Sequence, residues 1–220
     1  MKPRLVRISP SILCLDYNND IVLKLALEKI ENSGANMVHL DVMDGKFVEN
    51  RTFSYEVVKE IGRYCSFFKD VHLMTYNPER DLLEYKNAGT DQITFHYESI
   101  NKEEILPLIN KIKNMGMKVG ISIKPSTEVH QIKEYLPFLD MVLVMSVEPG
   151  KGGQKFMVES LEKIKWLKDN QKTNHYLISV DGGINSETCK MVKAAGVDII
   201  VVGTYLTKEK ITKEKVLNLI

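Results

Sequence analysis

Eight short apolar runs punctuate the chain, and between them lie longer stretches in which apolar and polar residues alternate with helical spacing. The apolar runs are RISPSIL, NMVHLDV, FKDVHLM, DQITFHY, KVGISIK, DMVLVMS, HYLISVD and DIIVVGT. The mixed stretches include 20–33, 54–65, 101–114 and 158–170. Four segments share one order of helix-like run, glycine and strand-like run: NSGANMVHLD, NAGTDQITFH, NMGMKVGISI and AAGVDIIVVG. A glycine in that place suits the left-handed residue that closes a helix before the chain turns into a strand. Gly34, Gly89, Gly116 and Gly196 are separated by 55, 27 and 80 residues, near two, one and three units of about 27. Eight such strand-plus-helix units fill the 220 residues. Several of the strands are almost continuously apolar, as parallel strands covered on both faces must be. The pattern predicts a (β/α)8 barrel forming a single domain over residues 1–220. An open doubly wound sheet would place a glycine-rich turn after the first strand, where this chain reads SILCLDYNND.

Composition narrows the picture further. A hydrophobic content of 44% supplies a large core, and a net charge of +1 gives no basic surface for nucleic acid or an acidic membrane. Cys14, Cys65 and Cys189 are too scattered for a disulfide framework and suit a reducing cytosol. MKPRLVRISP lacks the apolar run of a signal peptide, and no stretch reaches the roughly 20 apolar residues of a membrane span. A soluble cytoplasmic protein is expected. The Lys-rich tail TKEKITKEKV reads as a solvated helix face, and Trp166 as packing.

In such a barrel the chemistry lies at the C-terminal ends of the strands. Strand two carries His39 and Asp41 there, strand three His72 and strand seven Asp181. His39 and Asp41 are two residues apart and leave the same face of their strand. Burying an imidazole beside a carboxylate is costly without partners, and a cation held by all four residues would supply one. Two imidazoles and two carboxylates suit one divalent ion, with Zn²⁺ first among Zn²⁺, Fe²⁺, Mn²⁺ and Co²⁺. The competing explanation makes the histidines hydrogen-bonded core residues and the aspartates helix caps. A metal beside two carboxylates suits proton abstraction next to a carbonyl, and carboxylates on opposite faces of one carbon invert it. Met43, Met74 and Met145 sit at strand ends where polarizable thioethers could line the reacting group, although core filling is the commoner use of methionine. SVEPGKGGQKF, Gly182-Gly183 and Gly203-Thr204 follow strands six, seven and eight, where barrels bind phosphate. His96 ends strand four and reads equally well as structural, whereas His130 and His175 lie off the rim.

The motifs ISPSIL, VHLDVMDGKFVEN, DVHLM, MSVEPGKGGQKF, VDGGIN and VVGT run through nearly the whole chain, and together they resemble the ribulose-phosphate 3-epimerase family. The resemblance implies a barrel of the ribulose-phosphate-binding type, with one divalent metal on His39, Asp41, His72 and Asp181. It further implies that Asp41 and Asp181 are the acid–base pair, that Ser11 and His72 touch substrate, and that Met43, Met74 and Met145 flank an enediolate. Phosphate would lie against Gly152, Gly153, Gln154, Gly182, Gly183, Gly203 and Thr204. The implied reaction is inversion at C3 of a ketose phosphate, D-ribulose 5-phosphate to D-xylulose 5-phosphate, as in the pentose phosphate pathway, by a homo-oligomer. The chain departs from the family at Glu49, where Pro is usual, and at Lys151, where Phe is usual and where a lysine could add a cation to the cover loop but is expected to face solvent. Cys14-Leu15 is nearer the Cys-Met pair of allulose-6-phosphate 3-epimerases, so a hexulose 6-phosphate is the alternative substrate. Phosphosugar barrels of the orotidine-phosphate decarboxylase or hexulose-phosphate synthase type use an Asp-x-Lys-x-x-Asp pattern that KDVHLM does not offer. A non-catalytic phosphosugar-binding protein is the reading from a different class, and it has no need of this set of carboxylates and histidines.

Overall fold

A computed structural model describes residues 6–171, 174–207 and 212–219. Eight parallel strands form one sheet in the order β1-β8-β7-β6-β5-β4-β3-β2. They are β1 (Arg7–Pro10), β2 (Met37–Met43), β3 (Phe68–Met74), β4 (Gln92–His96), β5 (Lys118–Ile123), β6 (Met141–Met145), β7 (Leu177–Asp181) and β8 (Ile199–Val202). The two ends of the sheet meet at a single bridge, Ser11 to His39, which brings β1 alongside β2 and nearly closes the barrel. The helices are α1 (Asp20–Asn32), α2 (Tyr55–Tyr64), α3 (Leu82–Asn87), α4 (Lys102–Asn114), α5 (Ser160–Asn170), α6 (Ser186–Ala195), α7 (Thr204–Thr207) and α8 (Lys213–Leu217). This is the (β/α)8 barrel that the apolar runs predict.

Local chemistry explains the element ends. Asn19, Ser54 and Asn185 cap α1, α2 and α6 by accepting hydrogen bonds from first-turn amides. Gly34, Gly89, Gly116 and Gly196 all take positive φ, the left-handed turn foreseen for them. One unit departs from the repeat. Between β5 and β6 the chain forms 3₁₀ turns over Val129–Phe138 rather than an α-helix, with Pro137 inside them. Lys163 of α5 reaches into this connection and donates to the carbonyls of Lys124, Pro125 and Thr127 at 2.6–2.9 Å. In the Lys-rich tail, 208–211 lie outside the described residues, while Val216 and Leu219 are buried in the core. Trp166 packs against that core as expected.

β2 and β4 are buried along their whole length, and β3 between them nearly so. Outward residues such as Val38, Leu40, Val71 and Ile93 meet the helices in the main core. Inward residues stack in tiers of four from alternate strands when the register is followed round a barrel of this stagger. Toward the C-terminal rim the tiers are Ser9/Asp70/Gly120/Ser179, His39/Thr94/Leu143/Val201, Ser11/His72/Ser122/Asp181 and Asp41/His96/Met145/Gly203. The four candidate metal ligands therefore occupy three successive tiers just beneath the mouth.

Candidate active site

Three of the four ligand atoms lie almost in contact. His39 Nε2 is 3.2 Å from Asp41 Oδ1, His72 Nδ1 is 3.1 Å from the same oxygen, and the two ring nitrogens are 3.3 Å apart. With Asp181 the set forms a group whose ligand atoms all fall within 4.8 Å of one another. Donors held ~2.1 Å from a common tetrahedral ion would lie about 3.4 Å apart, so the residues fit a divalent cation. His39 and His72 are fully buried, and Asp41 is almost so.

Each group has its orientation fixed by a neighbour. Ser11 donates to Asp41 Oδ2 at 2.7 Å, leaving Oδ1 for the histidines. His39 Nδ1 meets Asp70 Oδ2 at 2.9 Å, and Asp70 Oδ1 accepts from Gln92 at 2.9 Å and Thr94 at 2.8 Å. His72 Nε2 lies 2.9 Å from His96 Nε2, and His96 Nδ1 lies 3.1 Å from Glu98. Glu98 in turn accepts from the backbone N–H of Lys124 at 2.8 Å and from the Thr127 hydroxyl. Asp70, His96 and Glu98 thus support the cluster from behind. The alternation of β-strands carried a signal for one of them, since Asp70 is two residues before His72 on β3, whereas Glu98 lies in the 3₁₀ turn that follows β4.

The electrostatics separate the two carboxylates. Burial raises the pKa of both, but for Asp41 the adjacent His39 and His72 outweigh burial and hold it well below the usual carboxylate range. Asp181 is pushed up to about 6 by burial and by the charge of Asp41. His39 is destabilised as a cation by burial, yet Asp41 and then Asp70 raise it well above 6.5. Burial lowers His96 to about 4 against the opposing pull of Glu98 and keeps it neutral. Neighbouring carboxylates with opposed environments are the arrangement of an acid and a base.

Above the cluster opens a cavity of about 320 Å³. Ser11, Asp41, Asp181, Met43, Met74 and Met145 line its inner part. Gly152, Gly153, Gln154, Gly182, Gly183, Gly203 and Thr204 line the rest, so every predicted substrate contact except His72 reaches it. His72 lies beneath the floor with His39. Met43 and Met74 also pack on Phe47, so they serve the core as well as the wall. At Gly183 a side chain is impossible without movement: with φ +63, a Cβ would come within 2.4 Å of the Phe156 backbone nitrogen. Gln154 turns its amide into its own loop, donating to the carbonyls of Glu148 at 2.6 Å and Lys151 at 2.9 Å. Asn50, absent from the expected site, donates to Gly150 O at 2.7 Å and ties the β2–α2 loop to the β6–α5 loop over the mouth. Lys151 is exposed and also lines the cavity. In the β2–α2 loop Asp44 accepts from the amides of Lys46, Phe47 and Tyr76, which sets the Phe47 ring 4.9 Å from that of His96.

Comparison with known proteins gives this geometry its context. The family model described as "Ribulose-phosphate 3 epimerase family" matches residues 7–207. The chain belongs to the ribulose-phosphate 3-epimerase family. It is thereby a carbohydrate epimerase, an isomerase. A ribulose-phosphate 3-epimerase of Chlamydia muridarum is 38% identical over 99% of this chain and 96% of its own length. One of Candida glabrata is 41% identical over 90% and 84% respectively. Among solved structures, a 3-hexulose-6-phosphate synthase of Salmonella typhimurium superposes with a TM-score of 0.70 at 17% identity, covering 97% of this chain and 96% of its own. KGPDC of Streptococcus mutans gives 0.73 at 12%, covering 97% and 95%. At such identities these two establish the shared barrel and nothing finer.

Proposed function

We propose that this epimerase interconverts D-ribulose 5-phosphate and D-xylulose 5-phosphate, using Asp41 and Asp181 as the two proton-transfer groups. The observation that carries the reading is the pair of carboxylates facing one cavity above two buried histidines, in a chain of this family. His39, Asp41, His72 and Asp181 would hold one divalent ion, with Zn²⁺ first among Zn²⁺, Fe²⁺, Mn²⁺ and Co²⁺. When bound, that ion supplies positive charge for the enediolate oxygens that develop as C3 loses its proton. Asp41, fixed by Ser11, takes or returns the proton on one face of C3, and Asp181 does so on the other. Met43, Met74 and Met145 exclude water from the reacting carbon. Gly152, Gly153, Gly182, Gly183, Gly203 and Thr204 give the phosphate an approach to backbone, which bulkier residues would block. The three free cysteines suit a reducing cytosol.

The test is a rate comparison of metal-loaded protein on D-ribulose 5-phosphate, D-allulose 6-phosphate and free ribulose. Turnover of the pentulose phosphate far above the others is expected. Preference for the six-carbon phosphate would reassign the substrate, and equal turnover of free ribulose would remove the phosphate cradle. About one divalent ion per chain is expected in the purified protein, and a chelator should abolish turnover.

A further inference from the structure

Four side chains in a row run from the ligand cluster into the barrel wall: Asp41, His72, His96 and Glu98. Asp41 Oδ1 is 3.1 Å from His72 Nδ1, His72 Nε2 is 2.9 Å from His96 Nε2, and His96 Nδ1 is 3.1 Å from Glu98 Oε2. Both imidazoles are entirely buried, and Phe47 covers His96 from the loop above. Resting on the metal reading given above, we propose that His96 and Glu98 are positioning residues that hold His72 as one tautomer, with its Nε2 protonated and its Nδ1 lone pair facing the cluster.

Once an ion takes the His72 Nδ1 lone pair, Asp41 no longer needs a proton from that nitrogen, and the hydrogen bonds leave one consistent order of donors. An ionised carboxylate only accepts. Glu98 already accepts from the Lys124 amide and the Thr127 hydroxyl on Oε1, so its Oε2 takes a proton from His96 Nδ1. A neutral imidazole protonated at Nδ1 has a lone pair at Nε2, and that atom faces His72. Two facing ring nitrogens share one proton, so His72 Nε2 is the donor. His72 Nδ1 is then the unprotonated nitrogen, and it is the one lying among His39 Nε2 and Asp41 Oδ1. A metal-ligating histidine whose second N–H is held by a carboxylate or carbonyl gains orientation and basicity.

His39 shows the same device in shorter form. Its Nδ1 meets the carboxylate of Asp70 directly at 2.9 Å, and its Nε2 faces the cluster. One ligand histidine is therefore backed by a carboxylate at first hand, and the other through a second imidazole. The two arrangements use opposite ring nitrogens toward the cluster, Nε2 for His39 and Nδ1 for His72, as their places on neighbouring strands require.

The test reads the tautomer and the ion separately. In zinc-loaded protein with ¹⁵N-labelled histidine, His72 should show a protonated Nε2 and an unprotonated Nδ1. Chelator competition with the metal-loaded protein should show His96→Ala and Glu98→Gln binding the ion roughly 10–100-fold more weakly, the usual loss for such partners. His96→Gln offers an amide N–H toward Glu98 and a carbonyl toward His72, in the same order as the imidazole, and should restore most of the affinity. A Nδ1-protonated His72 in the wild type would overturn the proposal. So would wild-type affinity in a folded His96→Ala variant, or a His96→Gln variant as weak as His96→Ala. A wild-type protein that takes up no ion would instead strike at the metal reading, and with it the proposal that rests on it.

Discussion

The two sides of the barrel interior solve the same packing problem with opposite chemistry. On β2, β3 and β4 the inward side chains include His39, Asp41, Asp70, His72, Gln92, Thr94 and His96, all buried. Across the barrel, β6 and β8 present Met141, Leu143, Met145, Ile199 and Val201, which form an apolar cluster with Met37 and Val147. A single tier, His39/Thr94/Leu143/Val201, is half of each kind. Apolar groups need only matching volume, whereas each buried polar group must find a partner or carry a desolvation penalty of several kcal/mol. The polar side meets that demand with hydrogen bonds that close on one another, Asp70 alone joining His39, Gln92 and Thr94. Function is placed where burial is most expensive, and the apolar side makes it tolerable by filling the remaining space.

Removing charge at the rim, from Asp41 on the polar side or from Asp181 on β7 across the barrel, should have the largest effect. Asp41→Asn and Asp181→Asn retain volume but lose the basic carboxylate, and each should lower epimerisation by about 10⁴-fold or more, the upper range for an acid–base group. Deuterium exchange at C3 distinguishes them, because a variant with one working base can still label one epimer without inverting it. Near-normal epimerisation in either variant would break the two-carboxylate assignment.

Deeper on the same side, Asp70→Ala would strip His39, Gln92 and Thr94 of a common partner. Breaking a buried charged pair costs roughly 3–5 kcal/mol, so denaturant unfolding should show a loss of that order. A loss below about 1 kcal/mol would mean that the network closes without its carboxylate. On the apolar side, Leu143→Ala in the shared tier should cost about 2–5 kcal/mol through lost transfer energy and the cavity left behind. Ion affinity should be kept in that variant, since no polar group loses a partner. Together these two variants ask whether the sides fail differently, one by orphaned groups and the other by lost volume.

How much of this was legible beforehand follows from the same contrast. Alternating apolar runs and helix-closing glycines are local signals, so the eight strands and the barrel could be read from the chain. His39, Asp41, His72 and Asp181 could be gathered because barrel topology brings strand ends to one rim. The 3₁₀ connection at Val129–Phe138 was not legible, because the repeat calls for a helix there and a strand-to-strand span can be bridged without one. The partnership of Asp70 with His39 joins neighbouring strands, and it depends on the register of β2 against β3, which no local pattern states. Asn50 was missed for a related reason: its partner, Gly150, is a hundred residues away across the mouth.

The smallest expected effect lies in three serines on β1 and β5, which border both sides, and on β7, within the apolar side. Ser9, Ser122 and Ser179 point inward on β1, β5 and β7, fully buried. Their hydroxyl oxygens have no hydrogen-bond partner among the described residues. Ser179 sits in the tier below His39, level with Asp70 and beside Gly120, where a Cβ would already be 2.7 Å from Thr94 Oγ1. Three of the four residues in this tier, Ser9, Gly120 and Ser179, are small, and the serine fits there by its size. A buried hydroxyl without a partner is a net cost, since its hydrogen bonds to water are lost on folding and nothing replaces them. Ser179→Ala keeps the volume within one atom and removes that cost. It should therefore be neutral or stabilising by up to about 1 kcal/mol, with epimerisation unchanged. Thermal unfolding of Ser179→Ala beside Asp70→Ala gives the comparison at a single tier. A destabilisation above about 1 kcal/mol in the Ser179→Ala variant would show that the hydroxyl belongs to the polar network after all, and the division between the two sides would have to be redrawn through β7.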